Sequence, residues 1–136
     1  MRVCFRQINK LYDLNQIEVL KDFTEFLHSQ MELNNDIVIN FLNKREDEMT
    51  TGVRKPGNEI SILSANRLLI DVLRTLSHEW VHEYQHQKMG LKDTDKVKDI
   101  GGPEENMANT LSGIFVKKFE KTFPKYENIL YGENKL

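Results

Sequence analysis

The stretch Leu69-Ile70-Asp71-Val72-Leu73-Arg74-Thr75-Leu76-Ser77-His78-Glu79-Trp80-Val81-His82 carries two patterns on one helix. At ~100° per residue, Leu69, Val72, Leu73, Leu76 and Trp80 fall in a stripe about 100° wide, which predicts an amphipathic helix with one face toward a core. His78 and His82 point to the other side and share it with Asp71, Arg74 and Gln85. The imidazoles are therefore expected to face a cleft. At i and i+4 they stand roughly 6 Å apart, and both rings can reach one Zn²⁺ at roughly 2.0–2.1 Å. Glu79 then projects beside the metal, where a carboxylate can take the proton of a zinc-bound water. The H-E-x-x-H pentapeptide thus offers two ligands and a general base. A surface histidine pair of no function is the alternative; a buried structural pair would sit inside the apolar stripe.

This helix is expected to begin at 64–66 and to end near Gly90, where Lys88-Met89-Gly90 reads as a stop. His86 continues the four-residue step, but on an unbroken helix it lies about 12 Å along the axis from His78. Gln85 also stands where metzincins place the glycine that folds a third histidine back. His86 is expected to be solvated or hydrogen-bonded, and His28 has no evident partner.

The third ligand is expected from Gly101-Gly102-Pro103-Glu104-Glu105-Asn106-Met107-Ala108-Asn109. Proline suits the first turn of a helix and acidic residues suit its positive end. Leu111, Ile114, Phe115 and Phe119 continue an apolar face, so a helix is expected to begin near Glu104. Of the two glutamates, Glu105 is preferred over Glu104. It puts the small Ala108 at i+3, allowing close helix approach, and Asn109 at i+4, able to orient a ligand. If both were only helix N-terminal charges, the site would lack a ligand. The expected metal ligands are His78, His82 and Glu105, with Glu79 catalytic and Zn²⁺ the cofactor.

Upstream, residues 3–8 read as a short strand. Ile17, Leu20, Phe23, Phe26 and Leu27 recur at helical spacing, predicting a helix over about 15–31 with Asn15 as N-cap. Residues 36–42 read as a buried strand, and 43–51 as a loop or the start of a hairpin. After the turn signal Lys55-Pro56-Gly57-Asn58, residues 59–62 alternate as a strand with one buried face. The 136 residues, 39% hydrophobic and 29% charged, suffice for one core, so a single domain is expected. Strands and helices together predict an α+β fold with a small mixed sheet. The net charge of −2, with both signs interleaved, gives no general attraction to polyanions. Cys4 is the only cysteine, which excludes an intrachain disulfide and suits a reducing compartment. Neither a signal-peptide pattern nor an apolar run of membrane-spanning length is present, so a cytoplasmic protein is expected.

His78-Glu79-Trp80-Val81-His82 followed by Glu105-Asn106-Met107-Ala108-Asn109 resembles the zincin metallopeptidases of the gluzincin branch. The short form with an E-x-x-A second motif is similar to SprT-like, ImmA-like and small phage-encoded peptidases. The resemblance covers roughly residues 58–119 and implies a minimal zincin-like core. It implies zinc ligation by His78, His82 and Glu105, acid/base catalysis by Glu79, and strand 59–62 as the cleft edge that pairs with an extended substrate. Thermolysin-like enzymes place an aspartate four residues after the glutamate ligand, where this chain has Asn109. The family's substrate-stabilising tyrosine or histidine is not marked by any motif; Tyr84, Tyr126 and Tyr131 are the unranked candidates. The expected function is zinc-dependent hydrolysis of peptide bonds in a peptide or protein substrate, with delivery by a protein partner as one source of specificity. Two other readings stay open: a zincin-fold binding protein without turnover, and a DNA-associated SprT-like protease. The latter draws on Lys117, Lys118, Lys121 and Lys125, which read more simply as a solvated helix face. Membrane and nucleic acid are not expected partners.

Overall fold

A computed structural model describes residues 1–46, 49–92 and 102–132. Its elements are β1 (Val3–Arg6), α1 (Ile8–Leu11), α2 (Leu14–Gln30), β2 (Ile37–Leu42), β3 (Gly52–Lys55), β4 (Glu59–Leu63), α3 (Leu69–Lys88), α4 (Pro103–Thr122) and, after a 3-10 turn at Pro124–Tyr126, α5 (Glu127–Leu130). The four strands form one mixed sheet in the order β1-β2-β4-β3. β1, β2 and β4 run parallel, and β3 returns antiparallel to β4. Helices pack on this sheet in an α+β arrangement, as the patterning predicts. Among the described residues, no helix is long and apolar enough to cross a membrane.

Several boundaries move for local reasons. β1 stops at Arg6 because Gln7 takes a left-handed φ of 66° and starts α1, so Ile8 is helical rather than extended. The cap of α2 is Asp13, not Asn15. Its carboxylate accepts from the Gln16 backbone N–H at 2.8 Å while the Gln16 side chain accepts from the Asp13 N–H at 2.9 Å, a reciprocal capping box. Helix α3 starts at Leu69 instead of 64–66. Ser64 and Ala65 still donate backbone bonds to the Leu42 carbonyl, and Asn66 has φ 59°, which interrupts any helix there.

Strand β4 is not an edge. It lies between β2 and β3, and both its faces are covered: Ile60 and Ile62 are buried on one side and Ser61 on the other, where its hydroxyl accepts from Asn40 at 3.1 Å. The edges are β1 and, beside β4, β3, whose residues lie just beyond the stretch expected to be loop, joined to β4 through the positive-φ pair Gly57 and Asn58.

Helix α3 is central, packing on β3 and β4 and against α2 and α4. Leu69, Val72, Leu73, Leu76 and Trp80 are all fully buried, as their stripe requires, and the Trp80 indole N–H donates to the Met31 carbonyl at 2.9 Å. The polar face is largely buried too: Glu79, His82, Glu83 and Gln85 are enclosed by β3 and α4. On α4 the core-facing residues are Ala108, Ser112, Phe115, Val116 and Phe119, whereas Ile114 is 44% exposed, contrary to the expected face. Ile114 lies on the same turn as Phe115 but faces away from α2 and α3. Phe119 meets Phe23 of α2 edge to face at 4.9 Å between ring centroids.

One buried ion pair ties β3 to α3. Arg54 Nε donates to Glu83 Oε1 at 2.7 Å, with side-chain exposures of 7% and 0%. Gln87 donates to the other Glu83 oxygen at 2.5 Å and accepts from the Asn34 and Asn35 backbone N–H groups. Removing one partner strands a buried charge, so Arg54→Met is expected to cost about 3–5 kcal/mol of stability, read from urea denaturation. A loss of only ~0–1 kcal/mol, the range of a surface pair, would contradict this.

Candidate metal centre

His78 and His82 stand one turn apart on α3, and Glu105 stands in the first turn of α4, where Pro103 opens the helix. The close contact of α3 with α4, at which Ala108 is fully buried, brings the three side chains together. His82 Nε2 lies 3.2 Å from His78 Nε2 and 3.1 Å from Glu105 Oε2, and His78 Nε2 lies 2.8 Å from Glu105 Oε1. Ligand atoms each roughly 2.0–2.1 Å from a tetrahedral ion are about 3.3 Å apart. The spacings, taken to both Glu105 oxygens, are of this order, and these three residues can hold a metal ion. Glu104 does not take part: its contribution is a backbone carbonyl. His86 and Cys4 also lie outside the cluster, and Cys4 is exposed on β1.

The supporting residues set the ring orientations. His82 Nδ1 lies 2.9 Å from Gln85 Oε1, and the Gln85 amide donates onward to the Glu104 carbonyl at 3.0 Å. Gln85 can only accept at that oxygen, so His82 carries its proton on Nδ1 and leaves Nε2 for the metal. Burial lowers the His78 pKa, with Glu105 and a hydrogen bond to Asn109 working against that shift, so the ring is neutral at pH 7 and able to ligate. Asn109 thus fills the place at i+4 from Glu105 that the sequence marks. The sequence placed Gln85 on the histidine face and where a metzincin glycine would stand but gave it no role; its i+3 spacing from His82 was the available signal. Gln85→Ala is expected to weaken metal affinity by about 10–100-fold, measured by competition with a chelating dye. Unchanged affinity would mean the His82 ring is oriented by packing alone.

Glu79 lies beside the trio, only 8% exposed. Burial, and then the charge of Glu105, push its carboxyl up to about 8, while a hydrogen bond from the Arg54 backbone N–H pulls the other way. That bond follows from strand register. Leu63 N–H bonds to the Thr51 carbonyl, so the inward-bonding positions alternate from 51 and the polar groups of Gly52 and Arg54 turn outward. Gly52 is required for this approach: a Cβ there would come 2.5 Å from Thr75 Cγ2 and 3.2 Å from Glu79 Cγ.

A cleft of about 330 Å³ opens over the cluster. It is bounded by Thr50 and Thr51 before β3, by Arg74, Thr75, His78 and Glu79 of α3, and by Glu105, Asn109 and Ser112 of α4. The tyrosines suggested by the sequence are elsewhere. The Tyr126 hydroxyl bonds Asp22, the Tyr131 hydroxyl bonds Glu120 at 2.6 Å, and Tyr84 packs against the core. Arg74, on the face shared with the histidines, is the cation that borders the cleft instead. Lys117, Lys118, Lys121 and Lys125 are exposed, and none of them lines it. His28 does have a partner, its Nδ1 accepting from the Leu33 N–H at 3.2 Å. Comparisons with protein-family models, with curated proteins and with solved structures find no match for this chain.

Proposed function

We propose that this chain is a zinc-dependent metallopeptidase of the zincin type that hydrolyses peptide bonds in a peptide or protein substrate. One observation carries the reading: two imidazole nitrogens and a carboxylate converge within 2.8–3.2 Å, with a second, buried carboxylate beside them at an open cleft. Binding alone has no use for Glu79, whose burial is costly unless a proton is handled there. Two imidazoles and one carboxylate also suit zinc among the common divalent ions and leave room for one further ligand.

When bound, Zn²⁺ supplies Lewis acidity, polarising a carbonyl and acidifying water near neutral pH. The chain's residues do the rest. With a cation at the trio offsetting the charge of Glu105, Glu79 would ionise and accept a proton from the attacking water as the new C–O bond forms, then deliver it to the amine as the C–N bond breaks. Gln85 and Asn109 keep the two imidazoles in their ligating orientation. The outward edge of β3 at Gly52 offers main-chain groups to an extended substrate, the role expected of β4 before the sheet order is known. A cytoplasmic site of action suits the single cysteine, Cys4.

The test begins with elemental analysis of protein purified without a histidine tag, where about one zinc per chain is expected. A screen of denatured proteins and peptide libraries at neutral pH then seeks chelator-sensitive cleavage. Zinc without cleavage of any substrate would favour a binding protein built on the same site.

A further inference from the structure

We propose that the cleft selects a substrate carrying a carboxylate close to the scissile bond and that Arg74 is the residue that recognises it. The inference rests on the peptidase reading and names its substrate class. The described residues that line the cleft include no leucine, isoleucine, valine, methionine or aromatic side chain; Thr50, Thr51, Thr75, Asn109 and Ser112 present hydroxyls and an amide instead. A substrate there gains little from apolar burial, so its selection has to come from charge and hydrogen bonds. Arg74 is the cationic side chain at this wall, one turn before His78 on α3.

Arg74 pairs with Asp71 on its own helix, at 2.6 Å, with side-chain exposures of 52% and 42%. An exposed pair of this kind contributes little, so its guanidinium can exchange Asp71 for a substrate carboxylate without a large penalty. Tyr131, held by Glu120, also lies within electrostatic range of Arg74. A planar guanidinium binds a carboxylate through two parallel hydrogen bonds, which adds geometric selection to charge. A divalent cation at the trio would offset the charge of Glu105, and of Glu79 when it is ionised, which leaves the Arg74 guanidinium as the cation at the wall that a substrate carboxylate can meet. The carboxylate can belong to an acidic side chain or to the substrate's own C-terminus.

The probe is a pair of small hydroxamates, succinic acid monohydroxamate and its neutral amide, titrated calorimetrically into zinc-loaded protein. The acid is expected to bind about ten-fold more tightly than the amide, as one charge-assisted contact implies. In Arg74→Gln that preference should vanish while zinc content stays at the wild-type level, and Arg74→Lys should restore part of it. Equal binding of the two compounds to zinc-loaded wild type overturns this proposal alone. Absence of zinc, with neither compound bound, overturns the metal reading and this one with it. Competition by short peptides separates the two sources of the carboxylate. A C-amidated peptide containing aspartate competes if a side chain is read, and a neutral peptide with a free C-terminus competes if the terminus is read. Competition by neither overturns the proposal.

Discussion

Replacement of His82 by alanine is expected to abolish stoichiometric zinc. The ring is 8% exposed, its Nε2 stands 3.1 Å from Glu105 and 3.2 Å from His78, and its Nδ1 is matched to Gln85. An alanine leaves one nitrogen and one carboxylate, too few to hold zinc against buffer, and leaves Gln85 and Glu105 without their partner. His86→Ala, one turn further along α3, removes a histidine outside the trio and should keep full zinc. Elemental analysis of the two variants side by side decides the matter: equal zinc in both would sink the assignment. Because the candidate ligands come from α3 and α4, a bound metal would add a link between two helices that packing and the Gln85–Glu104 hydrogen bond already join. Ligation that favours the native state adds stability, about 2.7 kcal/mol when free metal exceeds its dissociation constant 100-fold. Chelation of wild type should therefore lower the melting temperature, and chelation of His82→Ala should leave it unchanged.

Glu79→Gln should retain zinc and lose turnover, with hydrolysis falling by about 10²–10⁴-fold. Glutamine keeps the size of the side chain and can still accept from the Arg54 N–H, but it cannot take a proton from water. Equal rates for wild type and variant would assign the activity to a contaminant. The same substitution has a signature in metal-free protein that needs no substrate. In the fold the Glu79 carboxyl is pushed up to about 8 from 4.5, burial being the first cause and Glu105 the second. The folded state therefore holds a proton that the unfolded chain has released. The stability linked to this group is fully present below pH ~4.5 and is lost as pH rises to ~8. Urea midpoints of chelated wild type should fall relative to Glu79→Gln across that window, and parallel profiles would show that the carboxylate is accommodated at no cost.

Much of the site can be read from residue spacing. Four-residue separation on a helix is a local property, so the shared face of His78 and His82 follows from the sequence once α3 is recognised. The choice of Glu105 over Glu104 is legible for a similar reason, since only Glu105 puts Ala108 at the helix contact and Asn109 within reach of a ligand. The capping box at Asp13 and Gln16 was equally local, and the D-x-x-Q spacing announces it. The exposure of Ile114 was not legible, because helical periodicity does not say which of two adjacent apolar residues meets the neighbouring helix.

Sequence by itself determined the long helices, strands β2 and β4 and the members of the trio, though not β3, α1 or α5: periodicity of 3.6 or 2 is written residue by residue in the longer elements, and Pro103 and the following glutamates mark where α4 begins. Only the tertiary structure decided that β4 is interior and β3 is the edge beside it, because strand order depends on which long-range pairings form. The same packing seats Arg54 on Glu83, brings its N–H to Glu79, makes Gly52 indispensable and puts Arg74 at the cleft wall. None of these neighbours is close in sequence to its partner except along α3. Their juxtaposition is a product of sheet register and helix contact, which no local pattern encodes.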